Sequence, residues 1–387
     1  MSAARCYLDY NATTPLRAEA RAAVVAALDL TGNPSSVHGE GRAARQRVEA
    51  ARRQVGALVG VAADQVVFTS GATEAAGLAL APDLRGPAAP QGTRRLLVGA
   101  TEHAAVRQGH RFPGEAVTLL AVDRDGILDL EALASALAAD GGSPALLALQ
   151  AANNETGVLQ PLDAAVALVH AAGGLVVCDA VQMAGRLPFA VGDCGADAVL
   201  LSSHKIGGPQ GAGAVALGGG VVLGTAMVRG GGQERGFRSG TENVAGLCGF
   251  GAAAEAAGAL EAERLAALRD RLECGIAMVA DDAVVLGRQI PRLPNTTAFA
   301  VPGTAAETLL IALDLAGVAV SSGSACSSGK VARSHVLEAM GVPAALARGA
   351  IRVSSGWAST EADIDRLLEA FAGALRRMRR QPLPAAA

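Results

Sequence analysis

Lysine is almost absent from this chain. Of the 33 basic residues among its 387, only Lys205 and Lys330 are lysines, and the rest are arginines. A guanidinium can carry a positive charge but cannot form a Schiff base, whereas an amine with a tunable pKa can. The two lysines are therefore candidates for a chemical role, although drift under codon bias would also leave a stray lysine or two.

The chain also lacks an excess of charge and long apolar segments. Its net charge is −3, and charged residues make up 18% of it, so nothing points to nucleic acid as a partner. The first residues, MSAARCYLDYNATTPL, contain no apolar core of a secretory signal, and apolar runs such as LLIALDLAGVAV are too short to cross a bilayer. We expect a soluble, cytoplasmic protein with no membrane partner.

Closely spaced cysteines are missing as well. The six cysteines include no CxxC pair, which argues against a zinc knuckle and against a disulfide framework. Most of them lie in apolar runs and are expected to be small buried side chains. Cys326 is the exception, because its surroundings, SSGSACSSGK, are small residues that could not build a core. A reactive role would explain a thiol on such a loop.

Between residues 64 and 217 the sequence alternates regularly. Short β-rich runs are separated by stretches that could form helices, and these runs are VVFTS, RLLVGA, AVTLLAV, LLALQ, LVVCDA, AVLLSS and AVAL. Unbroken apolar strands alternating with helices predict a parallel sheet that is covered on both faces. Ligands of such sheets bind at the carboxyl ends of the strands, so the residues that follow each run deserve inspection.

The second half of the chain has a different character. Residues 218–245 are rich in glycine and polar residues, yet their composition is too specific for a flexible linker. From about residue 251 the chain is helical in pattern, and short strands are predicted around TTAFAV and VAVSS before a final helix, EADIDRLLEAFAGALRRMRR. This half predicts a second, smaller α+β domain.

Three of the predicted strands are followed by residues that fit one cofactor. After VVFTS, the turn SGATEA offers free backbone N–H groups at a helix start, with Thr73 adding a hydroxyl, although a plain structural turn would look the same. Asp179 follows LVVCD, where it could cap a helix or pair with a protonated ring nitrogen. Lys205 follows AVLLS within SHKIGGPQGAG. An amine, an acid and a phosphate cradle together match pyridoxal phosphate.

Three further side chains are candidates at the same edge. His103 follows RLLVGA and could stack on a cofactor ring and move protons, or be structural. Asn154 in NNETG could contact a ring or a carboxylate, or only shape a turn. Arg352 lies in a short apolar strand and needs an anion, which could be a substrate carboxylate or an internal acid.

Taken in order, the motifs resemble the cysteine desulfurases of the NifS/IscS type, from residue 7 to about residue 356. The motifs are YLDYNATTP, GNPSSVH, FTSGATEA, TEH, NNETG, SSHKIGGPQGAG, GGGQERGFRSGTEN, SSGSAC and IRVSSG. The resemblance implies an α/β fold type I pyridoxal phosphate enzyme with a mainly parallel seven-stranded sheet. A large domain, 15–255, would bind the cofactor, and a small α+β domain, 1–14 with 256–387, would carry the cysteine loop 321–333. The resemblance also implies a homodimer with two active sites at its interface.

The resemblance also assigns roles at the cofactor. Lys205 should hold pyridoxal 5′-phosphate as a Schiff base and act as the base at the substrate α-carbon. Asp179 should bond to the pyridine nitrogen, Gln182 to the ring oxygen, and His103 should stack on the ring and shuttle protons. The residues expected at the phosphate are Ala72, Thr73, Ser202, His204 and, from the partner subunit, Thr241.

The substrate implied is L-cysteine, with its α-carboxylate on Asn154 and Arg352. Cys326 should take the sulfur as a persulfide, leaving L-alanine, and pass it to an acceptor protein such as an iron–sulfur scaffold. A selenocysteine lyase would share nearly every one of these residues, so only a comparison of substrates separates it. Another fold type I enzyme, such as an aminotransferase, has no use for Cys326, and a non-enzymatic sulfur carrier would leave Lys205 idle.

Overall fold

The computed structural model describes residues 5–257, 261–322 and 333–380. Cys326 and Lys330 therefore lie outside the described residues, and so does most of the predicted cysteine loop 321–333. The strands are β1 (Cys6–Tyr7), β2 (Val66–Thr69), β3 (Arg95–Gly99), β4 (Val117–Leu120), β5 (Ala145–Gln150), β6 (Leu175–Asp179), β7 (Ala198–Ser202), β8 (Gly213–Leu217), β9 (Val284–Val285), β10 (Thr296–Ala300), β11 (Val318–Ala319), β12 (Ser321–Ser322) and β13 (Ala350–Ser354). The α-helices are α1 (Ala18–Leu28), α2 (Gly39–Leu58), α3 (Ala72–Ala79), α4 (Ala104–Arg107), α5 (Leu130–Ala138), α6 (Leu162–Ala171), α7 (Val191–Cys194), α8 (Val244–Ala256), α9 (Ala262–Val279), α10 (Ala306–Leu315), α11 (His335–Ala339), α12 (Ala344–Ala347) and α13 (Glu361–Arg380).

The large sheet contains the seven strands that the sequence predicts, in the order β2-β8-β7-β6-β5-β3-β4. The pairs from β7 through β4 are parallel, whereas β8 is antiparallel to both of its neighbours. A parallel neighbour needs a long crossover, and the chain between Ser202 and Gly213 is too short for one. The prediction of a mainly parallel α/β sheet is confirmed, and β8 is the strand that departs from it.

Both faces of this sheet are buried, as predicted. Neighbouring residues on β5 belong to different cores, since Leu146 packs with Val67 on one face and Leu147 packs with Phe250 on the other. Side chains alternate across a strand, so continuous apolar runs require cover on each side. Helix α8 contacts both α1 and α2, and all three helices contribute to the core that contains Phe250.

A second group of elements is built from both ends of the chain. Strand β1 pairs in parallel with β11, and β12, β13, β10 and β9 form an antiparallel sheet. Helices α9, α10 and α13 cover these strands, with the Phe299 and Phe371 rings 5.5 Å apart at their centroids. The final helix has the bounds that its sequence pattern indicates. The domain bounds 1–14, 15–255 and 256–387 stay a prediction.

The cysteines within the described residues are all unpaired, but they are not all buried. Cys6 and Cys178 are buried, Cys194 and Cys248 are half-buried, and Cys274 is exposed on α9. The prediction of burial is wrong for Cys274, because it lies on the solvent side of an amphipathic helix. Within the part of the chain that the structure describes, no helix is long and apolar enough to cross a membrane.

Candidate active site

A cavity of about 600 Å³ lies at the edge of the large sheet where the parallel strands end. Residues after β2, β3, β5, β6 and β7 line it together with the N-terminal segment and β13. The structure brings together these residues predicted from the sequence: Ala72, Thr73, His103, Asn154, Asp179, Gln182, Ser202, His204, Lys205 and Arg352. Thr241 does not line the cavity of its own chain. The convergence follows from topology, because the carboxyl ends of parallel strands meet at one edge.

The Lys205 amine is held at the base of this cavity. It lies on a one-turn 3₁₀-helix, Ser203–Lys205, directly after β7. Its Nζ donates to the backbone oxygens of Asn11, at 2.5 Å, and Ala12, at 2.9 Å. The N-terminal segment therefore positions an amine that the large sheet supplies. Among the described residues Lys205 is the sole lysine, so it is the one primary side-chain amine there that could bind an aldehyde covalently.

His204 is neutral in this arrangement. Burial, together with the charges of Lys205 and Arg186, lowers the pKa of His204 to about 4. Its Nδ1 lies 3.1 Å from Oγ1 of Thr13. At neutral pH the imidazole can therefore offer a phosphate a hydrogen bond rather than a full positive charge.

Asp179 supplies a half-buried carboxyl at the end of β6. Its Oδ1 accepts from the backbone N–H of Val181 at 3.0 Å. Burial raises the pKa of Asp179, although the Val181 N–H, His103 and Lys205 act against this rise. A further cationic donor beside the carboxylate would stabilise its ionised form. A protonated pyridine nitrogen is such a donor, so this residue fits the cofactor that the resemblance implies.

Gln182 is oriented by a residue that sequence reasoning missed. Arg186 is buried and donates to both the side-chain and the backbone oxygen of Gln182. Because Arg186 holds Oε1, the amide nitrogen faces the other way, and Nε2 donates to the Asn11 oxygen at 3.0 Å on the cavity wall. Burial lowers the pKa of Arg186 to about 9, with the Arg352 charge adding to the effect. The available signal was the spacing of four residues between Gln182 and Arg186.

The start of α3 forms the other end of the cavity. The first N–H groups of a helix have no partner within it, and Gly71, Ala72 and Thr73 at this helix start line the cavity. Strand β8 approaches this turn so closely that a Cβ on Gly213 would lie 2.6 Å from the Gly71 Cα. Glycine at position 213 is therefore required by the close contact, and the turn that faces the cavity depends on it.

Arg352 pairs with an internal acid, which is one of the two alternatives that its sequence left open. Its Nη2 donates to Oδ1 of Asp9 at 2.7 Å, so an internal acid does pair with it. Its Nη1 donates to the backbone oxygen of Asn154 at 3.0 Å. Its Nε is buried and has no hydrogen-bond partner among the described residues. Since Arg352 lines the cavity, an anion there would find a guanidinium that is already oriented.

His103 caps helix α4 and faces the cavity. Its Nδ1 accepts from the backbone N–H of Ala105 at 3.1 Å. In the neutral imidazole the proton is therefore on Nε2. A histidine fixed in this tautomer can donate to, or exchange a proton with, a bound molecule.

The glycine-rich stretch is firmly tied to the large sheet. Glu234 and Arg235 have left-handed backbone angles, with φ of 46° and 57°. The Glu234 carboxylate compensates for this strain, because it accepts two hydrogen bonds from Arg52, at 2.6 and 2.7 Å, and one from the Phe68 N–H. The stretch is thus no flexible linker. It leaves Thr241 exposed on the surface of this chain.

Comparison with known proteins assigns the chain to one family. The model of the family described as aminotransferase class-V matches residues 6–367. The chain belongs to this family. Within it, the chain is 45% identical over 373 residues to a cysteine desulfurase of Cereibacter sphaeroides, covering 94% of each chain. It is 41% identical over 384 residues to the cysteine desulfurase IscS of Anaeromyxobacter sp. (strain Fw109-5), covering 96% of this chain and 93% of that protein.

The fold agrees with a solved structure of the same group. A NifS-like protein from Rickettsia africae ESF-5 superposes with a TM-score of 0.84 at 30% identity, covering 96% of this chain and 99% of the other. Fold type I is therefore confirmed, whereas the roles of the individual site residues stay predictions.

Proposed function

We propose that this chain is a cysteine desulfurase that uses pyridoxal 5′-phosphate. The observation that carries the proposal is the cavity itself, which is lined by an amine, a half-buried carboxyl, a helix start and a buried guanidinium. The relatives named above as cysteine desulfurases match this chain over nearly its whole length. Each end of the cavity therefore fits a different part of the same cofactor and substrate.

The residues fit the cofactor as follows. Lys205 Nζ would bind the aldehyde carbon, Asp179 would keep the pyridine nitrogen protonated, and Gln182 would donate to the ring oxygen. His103 would stack on the ring. The phosphate would be bound at one end of the cavity by Ala72, Thr73, Ser202 and His204. Bound there, pyridoxal phosphate would withdraw electrons from the substrate and so weaken its carbon–sulfur bond.

At the opposite end, Arg352 and Asn154 would bind the α-carboxylate of L-cysteine. Lys205 would take the α-proton, and His103 would donate or accept protons through Nε2. The Cys326 thiolate would attack the substrate sulfur, so that a sulfur–sulfur bond forms as the carbon–sulfur bond breaks. L-cysteine and the Cys326 thiol thus yield L-alanine and a persulfide on Cys326, with no added oxidant or reductant.

We further propose the setting in which this reaction takes place. Thr241 is exposed and does not line its own cavity, which suits a contribution to the phosphate site of a second copy in a homodimer. The persulfide would pass to a sulfur acceptor protein, such as an iron–sulfur scaffold, in the cytoplasm. Mixing inactive Lys205→Ala chains with inactive Thr241 variants tests the shared site, because a mixed dimer would then regain one complete cavity.

The decisive experiment for the function compares two cysteine variants. The cofactor-loaded protein is incubated with L-cysteine, and both L-alanine and protein persulfide are measured. We expect Cys326→Ala to lose nearly all L-alanine and persulfide formation while keeping the visible absorption of the lysine-bound cofactor. Cys274→Ala removes an exposed thiol on helix α9, and this variant should behave like the wild type.

Normal L-alanine output from Cys326→Ala would refute the sulfur transfer to Cys326. If the wild-type protein released L-alanine from L-selenocysteine but not from L-cysteine, the result would instead identify a selenocysteine lyase. A wild-type protein that binds no cofactor would refute the proposal as a whole.

A further inference from the structure

Glu155 and Ser334 form a short hydrogen bond between distant parts of the chain. The Ser334 hydroxyl donates to Oε2 of Glu155 at 2.6 Å, and both residues are buried. They are separated by 179 residues in sequence. Glu155 follows Asn154 at the substrate end of the cavity, and Ser334 is among the first described residues after the Cys326 loop. The hydrogen bond therefore joins the segment proposed to bind the substrate carboxylate to the segment that follows the cysteine loop.

Each partner is fixed on its own side. The backbone N–H of Glu155 donates to Oδ1 of Asn153 at 2.8 Å, which holds the residue within the NNETG turn. The Ser334 oxygen accepts from the Leu337 N–H at 3.1 Å and caps helix α11. One hydroxyl thus links the start of α11 to the turn that presents Asn154.

A second contact lies beside the first. Nε2 of His335 is 2.9 Å from the backbone oxygen of Glu102, which directly precedes His103. Residues 334 and 335 therefore touch one turn immediately after Asn154 and another immediately before His103. The chain leaving the cysteine loop is placed by the same two turns that place the substrate and proton-transfer residues.

The use of a carboxylate here is not explained by stability. Burial raises the pKa of Glu155 to about 7, while the Ser334 hydroxyl and the charges of Arg352 on β13 and His103 at the start of α4 oppose this rise. If this contact only stabilised the fold, a hydrogen bond between two neutral side chains could replace it at a lower cost in desolvation free energy. A carboxylate that ionises near neutrality accepts from the hydroxyl most strongly when it is charged.

We infer that Glu155 is a positioning residue, which acts through Ser334 to fix the chain after the Cys326 loop at the substrate end of the cavity. The inference rests on the proposed function, because it gives Cys326 a fixed point of attachment for its attack on the substrate sulfur. Glu155 itself does not line the cavity. Its loss should slow sulfur transfer and leave cofactor and substrate binding intact.

Five variants of the cofactor-loaded protein test the inference. They are Glu155→Ala, Ser334→Ala, the double alanine variant, Ser334→Thr, which restores a hydroxyl, and Glu155→Gln, which removes the charge. Single-turnover mixing with L-cysteine separates the first change in visible absorption from the later appearance of persulfide on Cys326. Asp129→Ala is the matched control, because it removes the N-cap of α5 away from the site. It should leave both steps unchanged.

We expect each alanine variant to slow persulfide formation about tenfold, since a hydrogen bond to a charged group is lost. The double variant should be no slower than the singles, and Ser334→Thr should recover most of the rate. The first absorption change and the KM for L-cysteine should stay within about twofold of the wild type.

The pH dependence of the rate distinguishes a charged Glu155 that positions Ser334 from a hydrogen bond that only stabilises the fold. The ratio of the wild-type rate to the Glu155→Gln rate should increase as the pH rises through about 7. A flat ratio, additive losses in the double variant, or persulfide formation at the wild-type rate would overturn the inference while leaving the proposed function in place. Failure of the wild-type protein to form L-alanine would instead overturn the proposed function.

Discussion

Arg352 on β13 pairs with Asp9 near the start of the chain, with 2.7 Å between Nη2 and Oδ1. The two residues are 343 positions apart. Arg352 is only 2% exposed, so its charge would be costly without this partner. The same guanidinium donates to the Asn154 oxygen, and its Nε has no hydrogen-bond partner among the described residues. The ion pair therefore orients a cation toward the cavity as well as neutralising it.

Replacing Arg352 by lysine should raise the KM for L-cysteine by about tenfold or more. A lysine keeps the positive charge but cannot hold Asp9 and Asn154 and also bind a carboxylate in a planar, forked geometry. The visible absorption of the bound cofactor should not change. Arg271→Lys is the control, because Arg271 makes a similar pair with Asp365 on the surface. Equal KM values for L-cysteine in the two variants would show that Arg352 does not bind the substrate.

Lys205→Arg should abolish the visible absorption of the lysine-bound cofactor. Arginine keeps the charge and can still donate to Asn11 and Ala12, so the change isolates the chemistry of the amine. Activity should fall by about 10²- to 10⁴-fold through loss of the base alone. The chain offers Lys330→Arg as the matched control, which should keep the absorption. After borohydride reduction, cofactor found on the Lys330 peptide instead of the Lys205 peptide would contradict this assignment.

Gly213→Ala should weaken cofactor binding about tenfold, a change of about 1.4 kcal/mol. The added Cβ would lie 2.6 Å from backbone atoms of Gly71, so the turn before α3, which is proposed to bind the phosphate, must shift. Titration of the cofactor-free protein with pyridoxal phosphate measures the effect. Gly219→Ala places its Cβ in open space and should bind as the wild type does. If the two variants bound equally well, this turn would not be part of the phosphate site.

Glu155→Gln should make the folded protein more stable than the wild type at alkaline pH. In the fold the pKa of Glu155 is about 7, above its ordinary value of 4.5, so the folded state keeps a proton that the unfolded state releases. This favourable effect is complete below pH 4.5 and is lost as the pH rises through 7. Glutamine does not titrate and avoids a loss on the order of 3 kcal/mol.

Urea unfolding of the two cofactor-free proteins at several pH values measures this difference. The gap between their midpoints should widen from acid to alkaline pH and then level off. A gap that is constant with pH would mean that Glu155 ionises as an ordinary exposed carboxyl does. If the same variant also transfers sulfur more slowly, a widening gap would show that ionised Glu155 lowers the stability of the fold while it positions the chain for sulfur transfer.

Much of the fold was predictable because its signals are local. The seven apolar runs became the seven strands of the large sheet, and EADIDRLLEAFAGALRRMRR became α13 over its whole length. The convergence of Lys205, Asp179 and His103 also followed, since one rule places the ends of parallel strands at one edge. The sequence by itself thus determined the elements, the edge of the sheet at which the cavity lies and the chemical types gathered there.

Tertiary structure decided which side chains are partners across long stretches of chain. No local pattern links Arg352 to Asp9 or Ser334 to Glu155. Arg186 also has partners in three segments, Tyr10, Gln182 and Lys205, and only Gln182 is near it in sequence. Periodicity reports burial along one element, whereas hydrogen-bonded pairs between distant segments depend on how the elements pack, and that packing exists only in the folded chain.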